Sequence, residues 1–300
     1  MSKPTSILLA GSYNLMITAF DLETTAPICE FEIQNTQANK IVTCGDHRFY
    51  AASYSYVFAY DFYSKAKKST QAVIAHEGNV TDLILQSNIF LTCGDDKKVK
   101  IWDRRTAQNT IAISTKNQDN AIVFIPTLNQ VIAGDENGCL TSYDIRNSNT
   151  IKTLKIDEGP IRTMALAPDG NSFLVAAQSG ITRSYKVADT EVFNEVFRIQ
   201  AHNDFQLSCA YSPNGKLFAT SAANNTVRLW DAGNGDMKQT IISSEMREWI
   251  WGVAFTADST QLVTGGTDGV CKAYDVENGR ILMAFPQIDK CISAIGILSA

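Results

Sequence analysis

Hydrophobic and polar positions alternate along the chain in short runs. In residues 226–230, Val227 and Leu229 point one way and Thr226, Arg228 and Trp230 the other, the period of a half-buried strand. Runs 206–211, 217–221 and 238–242 flank it, separated by Ser212-Pro213-Asn214-Gly215 and by Asn224-Asn225, residues that supply the positive φ of tight hairpins. The pattern predicts a unit of four short antiparallel strands. The same template fits 81–102, with Asp95-Asp96 in the turn, and 253–274, with Asp268-Gly269. A weak helical period in 191–198 reads equally well as a strand.

An aromatic residue, followed in all but one case by Asp, marks each unit: Phe20-Asp21, Tyr60-Asp61, Trp102-Asp103, Tyr143-Asp144, Tyr185-Lys186, Trp230-Asp231 and Tyr274-Asp275. The steps are 40, 42, 41, 42, 45 and 44 residues, the period of WD repeats. Seven units across nearly the whole chain predict an all-β, seven-bladed WD-repeat β-propeller, with 1–6 as a short tail and 7–300 as one domain. Two units carry a candidate hydrogen-bond tetrad: His76, Thr92, Asp96 and Trp102, and His202, Thr220, Asn224 and Trp230. In each, an indole N–H is expected to donate to a hydroxyl, the hydroxyl to an imidazole, and the imidazole to a turn oxygen, at roughly 1 kcal/mol per bond. The first unit lacks an innermost strand and 291–298 is an innermost strand with nothing after it, so the C-terminal strand is expected to close the ring on the N-terminal blade.

The charge balance adds exclusions. Twenty-six basic and 31 acidic residues give a net charge of −5 without any Lys/Arg run beyond the pairs Lys67-Lys68 and Lys97-Lys98, which argues against nucleic acid or an anionic membrane as partner. Residues 1–11 hold too short an apolar run for a secretion signal, and no stretch of 18 apolar residues follows, so a soluble, cytoplasmic protein is expected. Seven widely spaced cysteines without a C-x-x-C fit neither a disulfide framework nor a zinc site.

Catalytic chemistry has few candidates. Two of the three histidines belong to the tetrads and His47 lies in a hairpin turn without a Ser or Cys partner. Neither G-x-S-x-G, a phosphate-binding glycine loop, nor H-E-x-x-H occurs, and the aspartates fall at strand ends in blade rhythm. A non-enzymatic binding role without cofactor, metal or small-molecule substrate is the expectation.

Aligning the units on their innermost strands places Phe205 and Trp249 on one rung, where others have Gln37, Asn79, Pro160 and Cys291. Trp251 follows two residues on, and Arg247, Trp249 and Trp251 share strand parity. These tryptophans read either as core or as an interface, since Trp and Arg are frequent anchors at patch centres. Segment 247–252 (REWIWG), with 201–222 and 37–46, closely resembles the small WD-repeat subunit family of the target of rapamycin (TOR) kinase complexes. The resemblance implies a non-catalytic subunit that binds the C-lobe of the TOR kinase domain and stabilises its active form. It also implies a contact surface at Gln37, Asn39, Phe205, Trp249 and Trp251, with Phe205 standing where the family has a tyrosine.

Two other readings stay open. Asp103-Arg104-Arg105 and Asp144-Ile145-Arg146 place D-x-R after consecutive units, as in substrate receptors of cullin ubiquitin ligases; the plain alternative is an ion pair within each motif. A generic propeller scaffold is the third.

Overall fold

The structure is a computed structural model that describes residues 6–45, 47–188, 193–242 and 248–299. Its 28 strands form seven four-stranded antiparallel sheets, with no helix among the described residues. Blade 1 is Ile292–Ser299, Ser6–Ser12, Met16–Asp21 and Pro27–Glu32, innermost strand first. The innermost strands of blades 2 to 7 are Lys40–Thr43, Val80–Gln86, Asp119–Ile125, Ile161–Leu166, Gln206–Tyr211 and Ile250–Phe255. Each packs against the next, and Ile292–Ser299 lies between Ile250–Phe255 and Lys40–Thr43, so the ring is closed. The closing strand pairs antiparallel with Ser6–Ser12 from Ser299 opposite Ser6 to Ile292 opposite Ser12, as the unit count predicts. Part of the weakly periodic run near 191–198 is the outer strand Asn194–Gln200.

The core is divided among the interfaces between blades. Leu91, Val99 and Ile101 of blade 3, for example, pack on Ile122, Val131 and Tyr143 of blade 4. In four blades the recurring aromatic of the third strand pairs across to a phenylalanine of the second and stacks on it: Trp102 on Phe90 at 5.6 Å, Trp230 on Phe218 at 6.1 Å, Tyr185 on Phe173 at 5.3 Å and Tyr60 on Phe49 at 4.9 Å between ring centres; in the others the partner is Leu8, Val131 or Leu262. The aspartate that follows caps the next turn. Asp103 accepts from the backbone N–H of Arg105, and Asp21 and Asp275 do the same in their blades.

In the first tetrad Trp102 Nε1 donates to Thr92 Oγ1 at 3.1 Å, Thr92 lies 2.8 Å from His76 Nε2, and His76 Nδ1 lies 2.6 Å from Asp96 Oδ1. The second differs from expectation at its far end. Trp230, Thr220 and His202 follow the scheme, but His202 Nδ1 meets Thr226 Oγ1 at 3.1 Å, and it is Thr226 that donates to Asn224 Oδ1 at 2.6 Å. Asn224 therefore acts one bond further out, because the Thr226 hydroxyl, where the first tetrad's blade has Lys98, takes the place beside the ring. Burial lowers the pKa of both imidazoles, His202 to about 4 with Arg228 adding to the effect.

Blade 5 fills the same slot with charge, and blade 4 buries charge at the head of its innermost strand instead. In blade 5 Asp157 stands four residues before the innermost strand's Ile161, as His76 stands before Val80. Asp157 accepts from Ser179 Oγ at 2.8 Å and faces the buried Arg183 at 3.8 Å, which pairs with Glu195 at 3.3 Å. In blade 4 the innermost strand opens with buried Asp119, directly opposite buried Asp135. Three donors satisfy Asp135: Asn117 Nδ2 and the N–H groups of Asn137 and Cys139. Asp119 Oδ2 has no partner, and burial, with Asp135 adding to it, pushes its carboxyl up to about 7 against the pull of Thr115.

Candidate partner-binding face

All seven innermost strands run in the same direction, so the residues just before them share one face of the ring with the hairpins between second and third strands. A backbone bond registers the two: Tyr13 N–H donates to Cys291 O, Asp95 to Asn79 O, Gln178 to Pro160 O, Ala223 to Phe205 O and Thr267 to Trp249 O. The rung inferred from sequence alignment is therefore real at these five positions, and Gln118, bonded by Glu136, belongs to it as well.

Phe205 is 48% exposed and Trp249 39% exposed, so neither is core. Asp204 Oδ1 accepts from the Phe205 N–H at 2.7 Å and Thr267 Oγ1 from the Trp249 N–H at 3.1 Å, fixing the backbone beneath each ring. Trp251 packs on Trp249 with ring centres 5.2 Å apart and is half-buried. It occupies a β-bulge between Ile250 and Gly252, and the bulge turns it toward the axial channel, whose wall it helps form. Ser293, Thr81, Asn120, Arg162 and Leu207 sit at the matching irregularities of their blades and line the same channel, with Asn39 level with them in blade 2.

Gln37 and Asn39 stand at the blade 2 end of this arc. Gln37 Nε2 donates to Asn39 Oδ1 at 3.3 Å, while Asn39 Nδ2 donates to Asn79 Oδ1 at 2.7 Å and Val80 O at 3.0 Å. Asn39 thus ties blade 2 to blade 3, and Gln37 is the more available of the two. Arg247 lies outside the described residues.

Sequence reasoning missed Tyr13, Leu15 and Tyr54, three exposed hairpin residues of blades 1 and 2 on this face. Leu15 and Tyr54 have φ of 66° and 47°, a region bulky residues rarely occupy. The signal was present: the corresponding turns of blades 4, 5 and 7 end in Gly138, Gly180 and Gly269, each at positive φ. With Phe205 and Trp249 they make an apolar arc over four successive blades, 6, 7, 1 and 2.

The D-x-R arginines lie on the opposite face, each spent on its own aspartate. Arg146 bonds Asp144 at 2.6 and 2.9 Å, and its side-chain bonds hold that carboxyl down to about 2; Arg105 meets Asp103 at 3.3 Å. Among the described residues no group of three or more His, Cys, Asp and Glu is placed to hold a metal ion, and no helix is long and apolar enough to cross a membrane.

The family model of the WD domain, G-beta repeat, matches residues 67–103, 193–231 and 238–275. These stretches contain both tetrad tryptophans and the strand Lys272–Asp275. The chain is a seven-bladed β-propeller that carries WD repeats in these stretches. It is 24% identical over 233 residues to Target of rapamycin complex subunit wat1 of Schizosaccharomyces pombe, covering 75% of this chain and 74% of that protein. It is 25% identical over 261 residues to Protein LST8 homolog of Drosophila melanogaster, covering 83% and 82%. Identity to Target of rapamycin complex subunit LST8 of Mus musculus is 24% over 238 residues, covering 73% and 72%.

Proposed function

We propose that this WD-repeat propeller, similar along most of its length to subunits of target of rapamycin complexes, is a non-catalytic subunit of such a complex in the cytoplasm and binds the C-lobe of the TOR kinase domain. Exposed Phe205 and Trp249, the latter packed on half-buried Trp251, carry the reading, since large apolar side chains presented to solvent on one rim of a closed ring mark a surface that another protein covers. Gln37 extends the contact and Arg247 joins it. The seven cysteines are all free thiols, the form a reducing compartment maintains. The propeller contributes to phosphoryl transfer indirectly, by binding the active arrangement of the lobe more tightly than the inactive one and so raising its population.

The test is affinity purification of tagged wild type from native lysate with mass spectrometry, beside Phe205→Ala/Trp249→Ala/Trp251→Ala and Arg105→Ala/Arg146→Ala, each checked for folding. TOR kinase is expected with wild type and with the arginine variant and to be lost with the aromatic variant. Recovery of a cullin adaptor that vanishes only with the arginine variant would overturn the assignment.

A further inference from the structure

The axial channel encloses about 560 Å³ and opens on the aromatic face beside Trp251. Only three of the residues that line it are charged: Lys40, Asp82 and Arg162. Two of these neutralise each other. Lys40 Nζ lies 3.1 Å from Asp82 Oδ1, and Asp82 also accepts from the N–H groups of Leu83 at 2.9 Å and Ile122 at 3.0 Å, so this carboxylate is fully occupied as a tie between blades 2, 3 and 4. Arg162 differs. Its bulge at the head of blade 5 turns it into the channel mouth, its guanidinium donates to the Gln178 amide oxygen, and among the described residues it has no carboxylate within ion-pair distance. The side chain is exposed at the mouth, and the wall around it already works against its charge. The channel wall therefore carries one uncompensated positive charge in a chain whose net charge is −5.

A protein docked across this face would remove the water that now solvates Arg162. A cation buried without a counter-charge is strongly penalised, and a guanidinium's planar fork matches a carboxylate. We propose that the channel mouth receives one acidic side chain from the protein that docks on the aromatic face, its carboxylate pairing with Arg162 and its methylene groups lying against Trp251 and Leu207. This rests on the reading of that face as partner-binding and names a specificity contact within it. A single net positive charge suits a carboxylate better than a free phosphate dianion.

The experiment measures the dissociation constant of the purified propeller and TOR kinase at two salt concentrations for wild type, Arg162→Gln, Arg162→Lys and Trp249→Ala/Trp251→Ala. Arg162→Gln is expected to weaken binding about tenfold or more and to flatten its salt dependence. Arg162→Lys keeps the charge without the fork and recovers part of the loss, and melting temperatures of the isolated propellers stay unchanged. If Arg162→Gln binds like wild type with the same salt dependence, the acidic contact is refuted while the aromatic reading stands. If the tryptophan variant also binds like wild type, the docking face itself is wrong. Inorganic phosphate is a separate arm: a rise in the isolated propeller's melting temperature that Arg162→Gln abolishes would reassign the site to a free anion and overturn the proposal.

Discussion

Replacing Asp119 with Asn tests the charge placed inside blade 4. Asp119 faces Asp135 from the neighbouring strand, with Tyr143 and Cys93 the other titratable groups near it, and its carboxyl is pushed up to about 7 in the fold. An aspartate in an unfolded chain titrates near 3.9. Between these values the folded state binds the proton that the unfolded state has released, so stability falls as pH rises, by about 1.4 kcal/mol per pH unit. The contribution is fully present below about pH 4 and lost above about pH 7. Asn cannot titrate, so the stability of the variant relative to wild type should climb by about 3 kcal/mol from pH 5 to pH 8. Comparing the two proteins matters because His76 and His202 act in the opposite direction. Their depressed values give stability that is lost as pH falls below about 6.5, and both proteins share this term. Urea unfolding at half-unit pH intervals gives the difference directly. Parallel stability curves across that range would refute a proton held on Asp119.

Two further outcomes follow from the packing. Thr92→Val removes the hydroxyl that joins Trp102 to His76 and leaves both buried groups short of a partner, so it should cost about 1–3 kcal/mol in chemical denaturation, with Thr92→Ser close to wild type. Ending the chain at residue 290 removes the strand Ile292–Ser299 and its pairing along Ser6–Ser12, so the truncated protein should lose the cooperative unfolding transition of wild type, read by circular dichroism on heating.

How much of this was legible in the sequence depended on whether the informative residues lay close together in the chain. The aromatic-Asp step exposed the blades because the aromatic meets an apolar residue of the second strand and the aspartate caps the turn to the fourth, contacts that each act between neighbouring strands. Ring closure was equally plain, since a unit with three strands and a spare strand at the other end have one arrangement that leaves no edge open. The charged networks of blades 4 and 5 stayed hidden, because Asp157, Arg183 and Glu195 come from three different segments and no motif joins them. The Asn224 partner was misjudged for a local reason: two residues of strand place the Thr226 hydroxyl between amide and ring. Phe205 and Trp249 were found as departures from the repeat on one rung, whereas Leu15 and Tyr54 could be recognised only by comparing their hairpins with the glycine-ended turns of blades 4, 5 and 7.

The strand that seals the ring has a consequence for how the protein is made. Until residue 299 has left the ribosome, Ser6–Ser12 has no partner on its inner side, so the nascent chain carries an open sheet edge through nearly the whole of its synthesis. That edge stays open to pairing with other chains until synthesis is nearly over, and a message cut short near its end would yield a polypeptide that contains almost every blade yet keeps the edge unpaired.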